Sequence, residues 1–182
     1  RRYGPLASER FVQRAHDLGM EVWALVDDFN PDVDMYKLLS VTSRREKLIN
    51  NIIAYGIQYN LDGINIDFEK ISLDAGIHFI QFIRELSVKC RNNGIILSVD
   101  NYVPTEYSAY YNREEQGKVV DYVITMAYDE HHAGAKESGS VASYNFVKSG
   151  VENTLKEVPK EKVIIGIPFF TRLWKEAPEG DG

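Results

Sequence analysis

The stretch Asp62-Gly63-Ile64-Asn65-Ile66-Asp67-Phe68-Glu69 carries more information about the fold than any other part of the chain. In it, apolar side chains alternate with Asn65, Asp67 and Glu69, and a period of two is typical of a β-strand. The strand would therefore direct its polar side chains to one face and its apolar side chains to the other. Uncompensated burial of two carboxylates is costly, so the polar face is either hydrogen-bonded or functional.

Strand-like and helix-like segments alternate along the whole chain. Short runs rich in Val, Ile and aromatic residues predict five strands, at residues 21–26, 63–68, 95–102, 119–128 and 163–169. Segments of helical period separate them; one of these places Phe79, Ile83, Leu86 and Cys90 on a single apolar stripe. This alternation predicts an α/β fold whose parallel strands are joined by right-handed crossovers.

Two architectures have this pattern, an open doubly wound sheet and a closed eight-stranded barrel. The first predicted strand is not followed by the Gly-rich phosphate-binding turn that would favour the open sheet. The position of Glu69 favours the barrel, because barrel enzymes place their chemistry at the carboxyl ends of the strands. A complete barrel needs about 250 residues, so a chain of 182 residues is expected to hold a barrel with some units missing.

Composition excludes several classes of partner. The formal net charge of −6 argues against nucleic acid, which requires a clustered basic face. Apolar runs stay well below the roughly 20 residues of a membrane span. The single cysteine, Cys90, cannot form an internal disulfide, and its place on an apolar stripe predicts a buried, inert thiol.

The two carboxylates of the central stretch predict acid–base chemistry. Residues two apart in a strand lie roughly 6–7 Å apart at Cα, so Asp67 and Glu69 can approach each other closely. Because like charges resist joint ionisation, one of the two pKa values is expected to rise. A carboxyl that stays protonated near neutral pH is what a general acid requires, and Glu69 is predicted to be that acid.

Three motifs resemble those of glycoside hydrolase family 18, the chitinase-like family. Residues 62–69 resemble its Asp-x-x-Asp-x-Asp-x-Glu signature, with Asn65 in the middle Asp position. Met126-Ala127-Tyr128-Asp129 resembles the Met-x-Tyr-Asp motif of the sixth barrel strand, and residues 165–172 resemble the seventh-strand segment. Together the motifs are most similar to a branch of bacterial spore-germination and cell-envelope N-acetylglucosaminidases.

The resemblance implies a (β/α)₈ TIM barrel in which the five strands are the third to the seventh. Residues 1–182 would then be a partial catalytic barrel that lacks the first two strands and the eighth. It also implies location outside the cytoplasm, either extracellular or in the cell envelope or spore.

The resemblance further implies cleavage of β-1,4-linked N-acetylglucosamine polymers, either peptidoglycan glycan strands or chitin-type oligosaccharides, by substrate-assisted retention. Glu69 would be the acid, Asp67 would orient the substrate's acetamido group, and Tyr128 would donate a hydrogen bond to its carbonyl. Met126 and Asp129 would shape the pocket. Asn65 would hydrogen-bond Asp67 without sharing a proton with it. No cofactor or metal is implied.

Alternative interpretations remain at the level of sequence. Family members that lose the acid become lectin-like carbohydrate-binding proteins, and an inverting glycosidase would place its carboxyls roughly 6.5–9.5 Å apart. Trp23 is predicted to belong to the core rather than to a sugar site. His131 and His132, like the acidic residues Asp27, Asp28, Asp32 and Asp34, lack the spacing of metal ligands.

Overall fold

The computed structural model describes residues 8–175, which form five β-strands and six α-helices in alternation. The strands are β1 (Trp23–Asp27), β2 (Gly63–Asp67), β3 (Ile96–Tyr102), β4 (Tyr122–Met126) and β5 (Val163–Gly166). The helices are α1 (Glu9–Asp17), α2 (Met35–Leu39), α3 (Thr42–Gln58), α4 (Gly76–Asn92), α5 (Arg113–Val119) and α6 (Tyr144–Glu157).

The five strands form one parallel sheet whose spatial order is the order in sequence, β1-β2-β3-β4-β5. A doubly wound sheet reverses its strand order at a switch point, whereas a barrel adds each new strand beside the last. The sequential order therefore confirms the predicted α/β fold, an incomplete (β/α)₈ barrel. All five predicted strands exist but are shorter: β4 starts only at Tyr122 because Val119 still belongs to α5, and β5 ends at Gly166.

One face of the sheet packs against the helices and forms the main hydrophobic core. Ile64, Ile66 and Phe68 are buried on this face, as the alternation predicts. The apolar stripe of α4, predicted from Phe79 to Cys90, is likewise buried against it. Cys90 is buried, as predicted, and burial raises the pKa of its thiol to about 12, so the thiol stays protonated near neutral pH.

The opposite, inner face of the sheet carries aromatic packing at the amino ends of the strands. The ring of Trp23 on β1 stacks on that of Tyr122 on β4, with 5.6 Å between the ring centroids. Gly63 leaves room for this stack, because a Cβ there would lie only 2.7 Å from Trp23 Cγ. Trp23 therefore packs inside the barrel, at the end of the sheet opposite to Glu69. Within residues 8–175, no helix is long and apolar enough to cross a membrane.

Candidate active site

The carboxyl ends of β2, β3 and β4 bring the predicted site residues together on the inner face of the sheet. Asn65 and Asp67 lie on this face of β2, and Glu69 follows in the loop two residues after the strand ends. Across the ladder, Asn65 pairs with Ser98 of β3, and Tyr102 of β3 pairs with Met126 of β4. Parallel register therefore aligns the polar ends of three consecutive strands at one edge of the sheet.

Asp67 is the most deeply placed carboxylate of the β2 stretch. The residue is 7% exposed, and within residues 8–175 its buried Oδ1 atom has no hydrogen-bond partner. Burial raises its pKa to about 7, and the charges of Asp100 and Glu69 add to this effect. The predicted rise in one pKa thus falls on Asp67. A buried acceptor without a donor is costly in a folded protein, and it marks a place where a ligand N–H can bind.

Glu69 is held from two sides by residues of neighbouring elements. The hydroxyl of Tyr102 donates a hydrogen bond to Glu69 Oε2 at 2.6 Å. The buried carboxylate of Asp28, which directly follows β1, accepts from the backbone N–H of Glu69 at 3.0 Å and from that of Lys70 at 2.7 Å. Backbone and side chain of the predicted acid are therefore both fixed before any substrate binds.

Asn65 makes contacts that differ from the prediction. Its Nδ2 donates to Asp100 Oδ2 at 2.7 Å, and its Oδ1 accepts from the Ser98 hydroxyl at 2.7 Å. The expected hydrogen bond to Asp67 is wrong, because side chains two apart along one strand point the same way, whereas the partners on β3 lie directly across the ladder. Asn65 lies beneath the site as a link between β2 and β3.

The Met126–Asp129 motif brings three predicted residues to the end of β4. Tyr128 is half-buried, and burial together with the charges of Asp100, Asp67 and Glu69 raises the pKa of its hydroxyl, which therefore lies within electrostatic range of these carboxyls. Met126 is buried below it. Asp129 adopts a left-handed backbone conformation with φ of 60° and pairs with the guanidinium group of Arg172. The ion pair thus places Arg172 beside the end of the Met126–Asp129 motif.

Sequence reasoning missed three residues of this site. Asp28 was considered only as part of an acidic run, and Asp100 and Tyr102 were not singled out. A signal was present, because Ser98, Asp100 and Tyr102 repeat in β3 the period-two polar pattern of β2.

Of the other acidic residues, Asp34 caps α2 by accepting from the Lys37 N–H. Asp27 accepts from the Phe29 N–H.

The remaining candidates lie around the site without joining the acidic centre. His131 bonds the Ser140 carbonyl through Nδ1 at 3.0 Å. Trp174 donates from Nε1 to the Gly139 carbonyl at 3.0 Å, so both residues organise the loop that follows β4. Among residues 8–175 no group of three or more His, Cys, Asp or Glu side chains has the arrangement of a metal site.

Comparison with known proteins gives a consistent result. Residues 27–182 match the family described as glycosyl hydrolases family 18. The putative sporulation-specific glycosylase YdhD of Bacillus subtilis is 33% identical over 146 residues, which cover 77% of this chain and 34% of that protein. Its crystal structure superposes with a TM-score of 0.84 at 26% identity, over 91% of this chain and 58% of the other.

More distant relatives carry two different descriptions. The cortical fragment-lytic enzyme of Bacillus subtilis is 24% identical over 143 residues, covering 75% of this chain and 33% of that protein. Probable chitinase 2 of Drosophila melanogaster is 24% identical over 150 residues, covering 75% and 31%. The chain therefore spans about a third of the length of these curated relatives.

Proposed function

Because the chain belongs to glycosyl hydrolases family 18, we propose that it is the catalytic part of a retaining glycosidase that cleaves β-1,4-linked N-acetylglucosamine polymers. The observation that carries the proposal is the buried Oδ1 of Asp67, which has no hydrogen-bond partner among residues 8–175, together with the Glu69 carboxyl that Tyr102 holds. An N-acetylglucosamine unit offers what this arrangement lacks, namely an amide N–H for Asp67 and a glycosidic oxygen for Glu69.

The proposed reaction starts with proton transfer from Glu69 to the glycosidic oxygen of the leaving sugar. The substrate's own acetamido carbonyl oxygen attacks C1 as the bond from C1 to the leaving oxygen breaks, and an oxazolinium ion forms. Because water later attacks C1 from the opposite side, the product keeps the anomeric configuration of the substrate. Glu69, now ionised, takes a proton from a water molecule as the water oxygen attacks C1. The oxazolinium ring opens, and the Glu69 carboxyl is protonated again. Tyr102 and Asp28 keep the Glu69 carboxyl in one position through both steps.

Asp67 and Tyr128 act on the acetamido group. Asp67 accepts its N–H through Oδ1 and, when ionised, stabilises the positive charge that develops on the ring. The hydroxyl of Tyr128, which is within electrostatic range of Asp67 and Glu69, donates to the acetamido carbonyl and aims the carbonyl oxygen at C1. Met126 and the Asp129–Arg172 pair form the wall around that group.

The substrate is an extended N-acetylglucosamine polymer of a cell wall or spore, with peptidoglycan glycan strands ahead of chitin. This choice is supported by the relatives named for sporulation and for lysis of cortical fragments. A polymeric wall substrate implies that the protein acts outside the cytoplasm, in the cell envelope or spore. No cofactor takes part in the proposed steps.

The decisive experiment compares the full-length protein that carries this chain with its Glu69→Gln variant. Hydrolysis of a fluorogenic N-acetylglucosamine oligosaccharide and of purified peptidoglycan is measured, together with the anomeric configuration of the first product by NMR. We expect turnover with retention in the wild type and a loss of at least about 100-fold in the variant. Glu46→Gln, an exposed change on α3, serves as the control and should leave turnover intact.

Two results would contradict the proposal. Inverted product would indicate two carboxyls acting through a water molecule, and would remove the acetamido group from the mechanism. A wild type that binds both polymers without cleaving either, with unchanged binding in Glu69→Gln, would identify a carbohydrate-binding protein on the same fold.

A further inference from the structure

Asp100 is a buried carboxylate that the proposed reaction leaves without a role. It lies on the inner face of β3 between Ser98 and Tyr102, and it is only 9% exposed. Asp67, on the neighbouring strand, is 7% exposed. Two buried carboxylates on adjacent strands are costly unless they are neutralised, so Asp100 calls for a physical explanation.

The contacts of Asp100 explain why residue 65 is an amide. Ser98 donates to Asn65 Oδ1, which leaves Asn65 Nδ2 to donate to Asp100 Oδ2, both at 2.7 Å. An aspartate at position 65 would place a carboxylate oxygen against that of Asp100. The amide of Asn65 on β2 and the carboxylate of Asp100 on β3 are therefore complementary, because one donates the hydrogen bond that the other accepts.

Asp67 and Asp100 each follow the paired residues Ile66 and Val99 by one position, so they lie side by side on neighbouring strands. Four carboxyl groups raise the pKa of Asp67 through their charges. They are Asp100 of β3, Glu69 beyond β2, and Asp27 and Asp28 at the end of β1. The hydroxyl of Tyr102 bonds Glu69, and the raised pKa values of Tyr102 and Tyr128 keep both hydroxyl groups neutral near pH 7. Two buried carboxyls in such surroundings cannot both ionise easily, because each charge disfavours the other.

We propose that Asp100 is a positioning residue that shares one proton with Asp67, and that it supplies from β3 the second carboxyl that Asn65 does not supply from β2. Asn65 holds Asp100 in place by hydrogen bonding. The protonation of Asp67 then depends on Asp100, and so does the pH at which Asp67 becomes available as an anion. The consequence for catalysis rests on the proposed function, whereas the shared proton does not.

The test moves the carboxyl from one strand to the other in the full-length protein. Four forms are compared: wild type, Asp100→Asn, Asn65→Asp and the double variant Asn65→Asp/Asp100→Asn. The titration midpoint of Asp67 is read from its side-chain ¹³C resonance in aspartate-labelled protein, with Asp67→Asn used for assignment. Asp17→Asn, which removes an exposed carboxylate at the C-terminal end of α1, is the control with the same change in charge.

We expect the midpoint of Asp67 to fall by about one unit or more in Asp100→Asn and to rise in Asn65→Asp. The double variant should return it towards the wild-type midpoint, and Asp17→Asn should leave it unchanged. The acid limb of the kcat/KM profile should move in the same directions, because the reaction requires ionised Asp67. A purely structural role of Asp100 would lower activity without moving either midpoint.

The proposal that Asp67 and Asp100 share one proton is contradicted by either of two results. In the first, the titration midpoint of Asp67 does not change in Asp100→Asn; in the second, the double variant does not return it towards the wild-type value. Either result stands whether or not the protein cleaves a sugar polymer. Midpoints that move as expected in a protein without hydrolytic activity would instead support the pair and contradict the proposed function.

Discussion

At the scale of single residues, the site depends on hydrogen bonds that fix Glu69 and leave Asp67 open. The Tyr102 hydroxyl donates to Glu69 Oε2, and burial together with this bond raises the pKa of Tyr102. Tyr102 therefore stays a neutral donor near pH 7. In the described part of the chain no donor reaches Oδ1 of Asp67, so that atom is free to accept a hydrogen bond from a ligand.

Replacing Tyr102 by Phe removes one hydrogen bond to Glu69 and keeps the ring. A hydrogen bond to a charged group contributes about 1.5–3 kcal/mol, so kcat should fall at least about tenfold. KM should change little, because Tyr102 contacts the acid rather than the sugar. Steady-state kinetics check this, with Tyr59→Phe at the far end of α3 as control. Equal kcat in Tyr102→Phe and wild type would show that Glu69 needs no such support.

Ionisation of Asp67 makes stability depend on pH. Its pKa is about 7 in the folded state and near 3.8 when unfolded, so the folded state binds more protons between these values. The stabilising contribution of protonated Asp67 is therefore complete below pH 3.8 and is lost as the pH rises through about 7. Asp67→Asn removes this dependence, so the variant should gain stability relative to wild type as the pH rises.

Urea unfolding of wild type and Asp67→Asn measures the difference in their free energies of unfolding. The measurement is repeated at several values from about pH 4 to about pH 8, the range in which Asp67 titrates. Carboxylates remote from Asp67 affect both proteins alike and cancel in the comparison. A difference in the free energy of unfolding that stays constant with pH would mean that Asp67 ionises normally in the folded protein.

At the scale of elements, the loop after β1 positions the end of β2. Asp28 is buried and accepts two backbone N–H groups, those of Glu69 and Lys70, through its two carboxylate oxygens. An acid from one strand end thus satisfies backbone donors at the next strand end, where the ladder has already stopped. This contact connects the end of β1 to the loop that carries Glu69.

Asp28→Asn leaves one acceptor oxygen for two donors. Loss of a buried charged hydrogen bond should destabilise the protein by about 1.5–3 kcal/mol, and the freed Glu69 backbone should lower kcat. Thermal unfolding and kinetics measure the two effects. Asp32→Asn, in the exposed part of the same loop, should change neither. The role assigned to Asp28 would be refuted if both variants behaved like wild type.

At the scale of the whole molecule, five parallel strands form an open part of a barrel. Leu25 and Ile164 point to the inner face from β1 and β5, yet they are 55% and 38% exposed. Within residues 8–175, β1 and β5 each pair with only one strand, so their outer edges present free backbone groups. Such edges favour association with other chains.

The 182-residue chain expressed alone should therefore self-associate and bind a hydrophobic dye. Sedimentation velocity at increasing concentration and dye fluorescence measure both properties. Leu25→Ser with Ile164→Ser should weaken them, and Val88→Ser, an exposed apolar position on α4, should have less effect. A chain that remains monomeric and binds no dye would show that this open face is stable in water.

The sequence by itself determined the fold class, the five strands and the inward placement of Asn65, Asp67 and Glu69. These features follow from local rules, namely hydrophobic period, strand alternation and motif order, which short stretches of chain already specify. The family followed in the same way from three motifs. Strand ends were less certain, because residues 119–121 and 167–169 have strand-like composition but lie beyond the paired ladder.

Only the tertiary structure decided which groups surround the carboxylates. Asp28, Asp100 and Tyr102 come from other strand ends, and the parallel register alone brings them to Asp67 and Glu69. A pKa depends on burial and on charges across these contacts, so the raised value could be placed on Asp67 only after folding had defined its neighbours. Local sequence specifies the strands, whereas long-range packing determines the electrostatics of the site.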